Sequence, residues 1–177
     1  MLFRRNSTYA FLIAALALFA APPPATAGSP PLAEEWNAPA IAWQDMRSGV
    51  PEAIRTGKTA VLVFHAPWCT ACRKYREVFR DPRIVEATRD FVMILVDADA
   101  DKVTNGAFAP DGTYVPRTLF LTPDGDVRTD LTGKTDPERP HTIDIHKPDE
   151  LLALFERARG SSSEPARENN AQRADNR

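Results

Sequence analysis

The stretch TAVLVFH, Thr59 to His65, is continuous, apolar and rich in β-branched residues. A strand with one face in water alternates apolar and polar side chains, whereas an unbroken apolar run suits a strand covered on both faces. Such a strand needs neighbours along both edges and helices over both faces. Directly after it comes PWCTACRKY, which holds Cys69 and Cys72, both cysteines of the 177-residue chain.

The surrounding pattern supplies the missing neighbours. Asp45 is placed to cap a helix running to about Thr56, with Gly57 as its stop. Cys72, Tyr75, Val78 and Phe79 fall at helical spacing, so a helix opens near Cys69 and ends before Pro82. Asp81 followed by Pro82 reads as an N-cap with proline at the first helical position of a second short helix. FVMILVD, Phe91 to Asp97, is another buried strand, and a loop rich in Asp, Asn and Gly runs from it to Tyr114. RTLFL, Arg117 to Leu121, and DVRTDL, Asp126 to Leu131, flank TPDG, a hairpin signal. Pro148 and Asp149 open a last helix that Gly160 ends. The expected fold class is α/β, with a central mixed β-sheet flanked by helices.

The two ends differ from this middle. Arg4 and Arg5 give a basic start, an apolar run extends from about Tyr9 to Ala21, and Ala25, Thr26 and Ala27 supply small residues where a signal peptidase cuts. Residues 1–27 are expected to be a cleaved signal peptide, since the apolar run is shorter than the roughly 20 residues of a membrane-spanning helix. Residues 28–40, rich in Pro and Ala, read as an extended lead-in to a domain over 41–159. Residues 160–177 are polar and too poor in apolar side chains to offset the entropy of ordering, so a disordered tail is expected. The protein is therefore expected to be periplasmic or secreted, where disulfides persist. The 22 basic and 24 acidic residues are balanced, without a basic patch. That composition gives no case for nucleic acid as a partner.

A cysteine at the start of a helix sits beside unpaired N–H groups and the positive end of the helix dipole, which favour thiolate over thiol. Arg73 and Lys74 add positive charge, and such settings lower a cysteine pKa from about 8.5 into the range of about 3.5–7.5. Cys69 is thus the expected nucleophile. Cys72, nearly one turn further on, is placed to face it from a more buried position and to resolve a mixed disulfide. A crosslink closing so small a loop removes little unfolded-state entropy. Exchange is therefore favoured over a structural role, and an exposed, activated dithiol is expected. Zinc would need two more ligands from His65, His141 and His146, and no second pair has zinc-finger spacing. At the end of its strand, His65 fits both a structural and a catalytic reading.

TYVPRTLFL adds a proline, Pro116, at the start of a strand, where a first strand residue and a cis peptide in a tight turn both fit. A CxxC pair after a strand, followed later by such a proline, resembles the thioredoxin fold. WCTACRKY, FVMILVD and DGTYVPRTLFLTPDGDV, together with IAWQDM at Ile41 to Met46, resemble the small thioredoxin-domain proteins of the endoplasmic reticulum, the anterior gradient group. The likeness covers about Trp36 to Leu131. It implies a thioredoxin-like fold and a thiol–disulfide oxidoreductase, with Cys69 attacking, Cys72 resolving and Pro116 as the cis-proline. It also implies that Val115 offers its backbone to a bound peptide and that Trp68 flanks the nucleophile on a substrate-binding surface. Tyr114 and Arg117 fit the same surface or ordinary loop and strand roles.

The chain departs from thioredoxins at two points. Val63 stands six residues before Cys69, where thioredoxins place a buried Asp that helps to deprotonate the resolving thiol. The pair between the cysteines is Thr70–Ala71, neither Gly-Pro nor a pair ending in His, which fits a potential between about −270 and −120 mV. The function expected is disulfide oxidation, reduction or isomerisation in secreted client proteins, recharged by a membrane redox partner and needing no cofactor. Two other readings remain, a peptide-binding module without turnover and copper handling through Cys69, Cys72 and His65.

Overall fold

A computed structural model describes residues 29–38 and 40–162. The expected signal peptide and residues 163–177 of the expected tail lie outside the described residues. Strand β1 (Ala60–His65) is the middle of a three-stranded sheet ordered β2-β1-β3, where β2 is Val92–Asp97 and β3 is Arg117–Phe120. It pairs in parallel with β2, Ala60 opposite Val92 and His65 opposite Asp97. Its other edge pairs antiparallel with β3, from Val61 opposite Phe120 to Phe64 opposite Arg117. Beyond β2 the chain before the first helix adds one more bridge, Gln44 to Ile94. All six residues of β1 are buried, as its unbroken apolar sequence requires.

Alternation of side chains sorts β1 between two cores. Leu62 and Phe64 join Ile94 and Leu119 on one face. That face is covered by α1 (Met46–Thr56), which contributes Met46, Val50 and Ala53. Asp45 caps α1, its Oδ1 accepting from Ser48 N at 2.8 Å, and Gly57 ends it at a φ of 67°. Val61 and Val63 face the other way, toward α2 (Thr70–Val78), α3 (Pro82–Thr88) and α5 (Asp149–Ser162). There Trp36, Trp43, Tyr75 and Phe79 form an edge-to-face cluster with ring centroids between 5.1 and 6.2 Å apart, contacts worth about 0.5–1.5 kcal/mol each beyond their buried area. Asp81 caps α3 by accepting from Arg83 N at 2.8 Å.

Four elements differ from the sequence expectation. Ala33–Trp36, within the expected extended lead-in, is a 3-10 turn. Trp36 is buried and its carbonyl accepts from Trp43 Nε1 at 2.7 Å, so the packed unit begins before Ile41. The loop expected to run to Tyr114 contains α4 (Lys102–Ala107), capped by Asp101, which accepts from Thr104 N at 2.9 Å. No residue of α4 is buried, so it leaves no apolar periodicity to read. The second hairpin limb shrinks to one bridge, Leu121 to Val127. After it Arg128 pairs with Asp130 at 2.6 Å, and a turn in which Leu131 N donates to Arg128 O carries Leu131 into the opposite core. Gly160 does not end α5, because it is not among the glycines with positive φ and the helix continues to Ser162.

Two expectations about stability follow from these contacts. A Cβ at Gly49 of α1 would lie 2.5 Å from Ile94 Cγ1 and 2.6 Å from its Cδ1. Gly49→Ala gains helix propensity worth about 0.5–1 kcal/mol but overpacks a filled core, which costs about 1–3 kcal/mol. A net loss is expected, read as a lower urea midpoint at unchanged m; a raised midpoint would show that Ile94 yields freely. The second expectation concerns acid. Backbone and side-chain hydrogen bonds from Ser48 hold the Asp45 carboxyl below its usual 3.8. A carboxyl lowered in the folded state contributes stability above its unfolded pKa and loses it as pH falls through the folded value. Asp45→Asn keeps a capping side chain that does not titrate. It is expected to leave neutral-pH stability nearly unchanged and to reduce the loss of stability below about pH 4, measured by urea unfolding across that range.

Candidate functional site

The end of β1, the start of α2 and the turn before β3 meet at the two cysteines. Cys69 is the N-cap of α2, extended at φ −72° and ψ 108°, and its sulfur accepts from Cys72 N at 3.0 Å. The sulfur therefore does what a Ser or Asp side chain does at other helix starts, satisfying a free N–H of the first turn. Cys69 and Cys72 are joined as a disulfide with Cα atoms 5.2 Å apart. The expected difference in exposure between them is absent. Each is 3% exposed, so the pair is a buried disulfide and not an exposed dithiol. The physical reason is the packing of α2 on the sheet and the approach of the Val115 carbonyl, whose oxygen lies 3.7 Å from Cys69 Sγ.

The Val115–Pro116 peptide bond is cis. Two sets of contacts hold this turn. Arg117, fully buried, stands 3.9 Å over the Phe64 ring and donates to Tyr114 O at 2.8 Å, Phe108 O at 3.0 Å and Asn105 Oδ1 at 2.7 Å. Burial pushes its guanidinium down to about 10, which leaves it charged at neutral pH. Arg117 is therefore a structural tie to α4, not part of a docking surface. The second set is Tyr114, Asp111 and His141. Tyr114 Oη donates to the Asp111 carboxylate and accepts from His141 N at 3.1 Å, and His141 Nδ1 lies 2.9 Å from Asp111 Oδ1. These contacts bring the stretch after Gly133 against the turn. An apolar groove of about 310 Å³ opens there, lined by Ala71, Val115, Pro116, Ile143 and Ile145 among others.

Trp68 is 67% exposed beside Cys69, and its Nε1 donates to Asp99 Oδ2 at 2.6 Å. Asp99 follows β2 in a turn closed on the Asp97 carboxylate, so the ring is held from a different strand. The structure thus brings Cys69, Cys72, Trp68, Val115 and Pro116 to one end of the sheet. Sequence reasoning missed Asp99 and Asp111 and weighed His141 only as a zinc ligand; all three lie in loops and act through contacts within and between them. The charge of Arg73 is turned to the loop itself, toward Thr70 Oγ1 at 2.9 Å and Trp68 O at 3.4 Å. Lys74 is exposed. Among the described residues no group of three or more His, Cys, Asp and Glu is arranged to hold a metal ion, which leaves the copper reading without a ligand set in this disulfide form.

Comparison with known proteins agrees with this geometry. Residues 42–123 match the family described as Thioredoxin-like. The chain is 29% identical over 119 residues to anterior gradient protein 3 of Xenopus tropicalis, covering 66% of this chain and 68% of that protein. With anterior gradient protein 3 of Mus musculus the identity is 32% over 97 residues, 53% of this chain and 57% of the mouse protein. It is also 29% identical over 145 residues to the thiol:disulfide interchange protein DsbD of Ralstonia nicotianae, which covers 78% of this chain but only 22% of that protein. Residues 42–123 have a thioredoxin-like fold, and the chain is similar over part of its length to the anterior gradient proteins.

Proposed function

We propose that the protein is a thiol–disulfide oxidoreductase of secreted proteins, working outside the cytoplasm through Cys69 and Cys72. The observation that carries the reading is the Cys69–Cys72 disulfide at the start of α2, with Cys69 Sγ 3.7 Å from the Val115 carbonyl at the edge of an apolar groove. The relative named a thiol:disulfide interchange protein supports it. In reduction, the Cys69 thiolate attacks a client disulfide and one client sulfur leaves with the electron pair. Cys72 then attacks Cys69 Sγ and the second client sulfur leaves, so the client gains two electrons and the protein regains the disulfide. Oxidation of a client dithiol runs the same steps backward. Helix N–H groups and the dipole of α2 stabilise negative charge on Cys69 in either direction.

Val115 offers its backbone beside the nucleophile, Pro116 and Ala71 wall the groove, and the Trp68 ring extends the surface a client meets. The basic and apolar leader pattern supports a periplasmic or secreted site of action, and among the described residues no helix is long and apolar enough to cross a membrane. A separate membrane partner would then exchange electrons with the pair.

Cys72→Ser is expected to accumulate mixed disulfides between Cys69 and client proteins, visible as thiol-sensitive adducts after acid quenching. If none form, and wild type also fails to reduce a model disulfide, the oxidoreductase reading is wrong. Full biological function in a Cys69→Ser, Cys72→Ser double variant would instead establish binding without turnover. Trp68→Ala is expected to raise KM for a protein client more than it lowers kcat, and to leave reaction with a small aliphatic disulfide unchanged. Equal effects on both substrates would remove Trp68 from the docking surface.

A further inference from the structure

The position from which a buried acid serves the resolving cysteine of thioredoxins holds Val63, fully buried among apolar side chains. Two residues on, a titratable group occupies the same face of the same strand, because side chains alternate along β1. His65 is 2% exposed and its Nε2 has no hydrogen-bond partner. Leaving a buried polar atom unpaired is costly, so Nε2 calls for a partner. His65 and Cys72 line one cavity of about 20 Å³, together with Trp36 and Ala66. A single water needs about 10–15 Å³ and two or more polar partners, so this cavity, lined by both His65 and Cys72, has room for one. The Trp36 ring, 5.4 Å from the imidazole between centroids, fixes one side of the histidine.

We propose that His65 accepts the proton of Cys72, through one water in this cavity, when Cys72 resolves a mixed disulfide on Cys69. The inference rests on the oxidoreductase reading above and adds the route of the proton. With a client sulfur bonded to Cys69, the Cys72 thiol gives its proton to the water, and the water gives one to Nε2. The electron pair left on Cys72 forms the bond to Cys69 Sγ. The bond between Cys69 and the client breaks, and the client sulfur leaves with the electron pair of that broken bond and takes a proton from solvent. In the reverse direction the imidazolium returns a proton to Cys72 as its sulfur leaves.

The surrounding charges suit this role. Burial holds His65 below its usual 6.5, opposed by the charge of Asp97, so the ring is neutral and able to accept near neutral pH. Asp97 of β2, opposite His65 in register, is also the carboxylate that stabilises the imidazolium once formed. The other charged groups on the cavity are Glu35 of the 3-10 turn and Arg73 and Arg76 of α2, and Glu35 and Arg76 pair with each other.

Two measurements test the proposal. In stopped-flow reaction of the reduced protein with a fluorescent peptide disulfide, release of the first thiol reports attack by Cys69 and release of the second reports resolution by Cys72. His65→Gln is expected to leave the first step unchanged and to slow the second about 100-fold near neutral pH, the low end of general acid–base effects. The deficit should shrink as pH rises past about 8.5, where the thiol ionises unaided. Equal second-step rates and pH profiles in the two proteins would overturn the proposal. Absence of the first step in wild type would instead overturn the oxidoreductase reading, and this inference with it. The second measurement needs no substitution: the His65 imidazole, followed by NMR in wild type, is expected to titrate differently in the dithiol and disulfide forms. One titration common to both forms shows that Cys72 and His65 do not share a proton, and excludes the relay.

Discussion

Strand β1 is hydrogen-bonded on both edges and covered on both faces, and every other element is placed with respect to it. Full burial keeps polar side chains out of the strand from Ala60 to Phe64, because a buried polar group without a partner costs stability. Chemistry is possible only where the strand ends. His65 is that end, and the chain then needs only Ala66, Pro67 and Trp68 to reach the start of α2 at Cys69. The same constraint that makes the strand inert puts the reactive pair at its C-terminal edge.

The cysteine pair is held by two unequal kinds of structure. On the α2 side the contacts are local: Cys69 caps its own helix and Cys72 follows within the first turn. On the other side the chain comes from far away. Arg117 draws the turn at Val115 down onto α4, with its stem and guanidinium taken into the core over Phe64. A guanidinium buried without a carboxylate must be paid for by hydrogen bonds, and carbonyls from three residues supply them. The position of the Val115 carbonyl beside Cys69 thus depends on a charge that never reaches the surface.

This division explains what the sequence made legible. The helix at Asp45, the strands from Thr59 and Phe91, and the pair at Cys69 and Cys72 were readable because caps, apolar runs and short spacings are local signals. α4 was not, since a helix that buries none of its residues has no periodic face. The 3-10 turn at Ala33–Trp36 was hidden by proline and alanine around it, and packing of Trp36 against Trp43, Tyr75 and Phe79 gives it a place in the core. The lost hairpin limb was a conflict between a good turn signal and a polar strand, DVRTD. Burial of Leu131 in the opposite core won.

The groove beside the cysteines shows the same limit from the side of recognition. Its inner wall, Ala71 and Pro116, is fixed by α2 and by the turn before β3. Its outer wall includes Ile143 and Ile145, from a stretch with no regular secondary structure. That stretch is held by single side chains: His141 on Asp111 and Tyr114, Thr142 on the Pro116 carbonyl, and Glu150 of α5 on the backbone of Asp144. Each bond joins residues that are ordinary in the sequence and meaningful only together. If clients bind here, attack at Cys69 is set by the sheet and α2, while the choice of client is set by these long-range ties. The outer wall can then change independently of the cysteine pair, because it meets α2 across the groove.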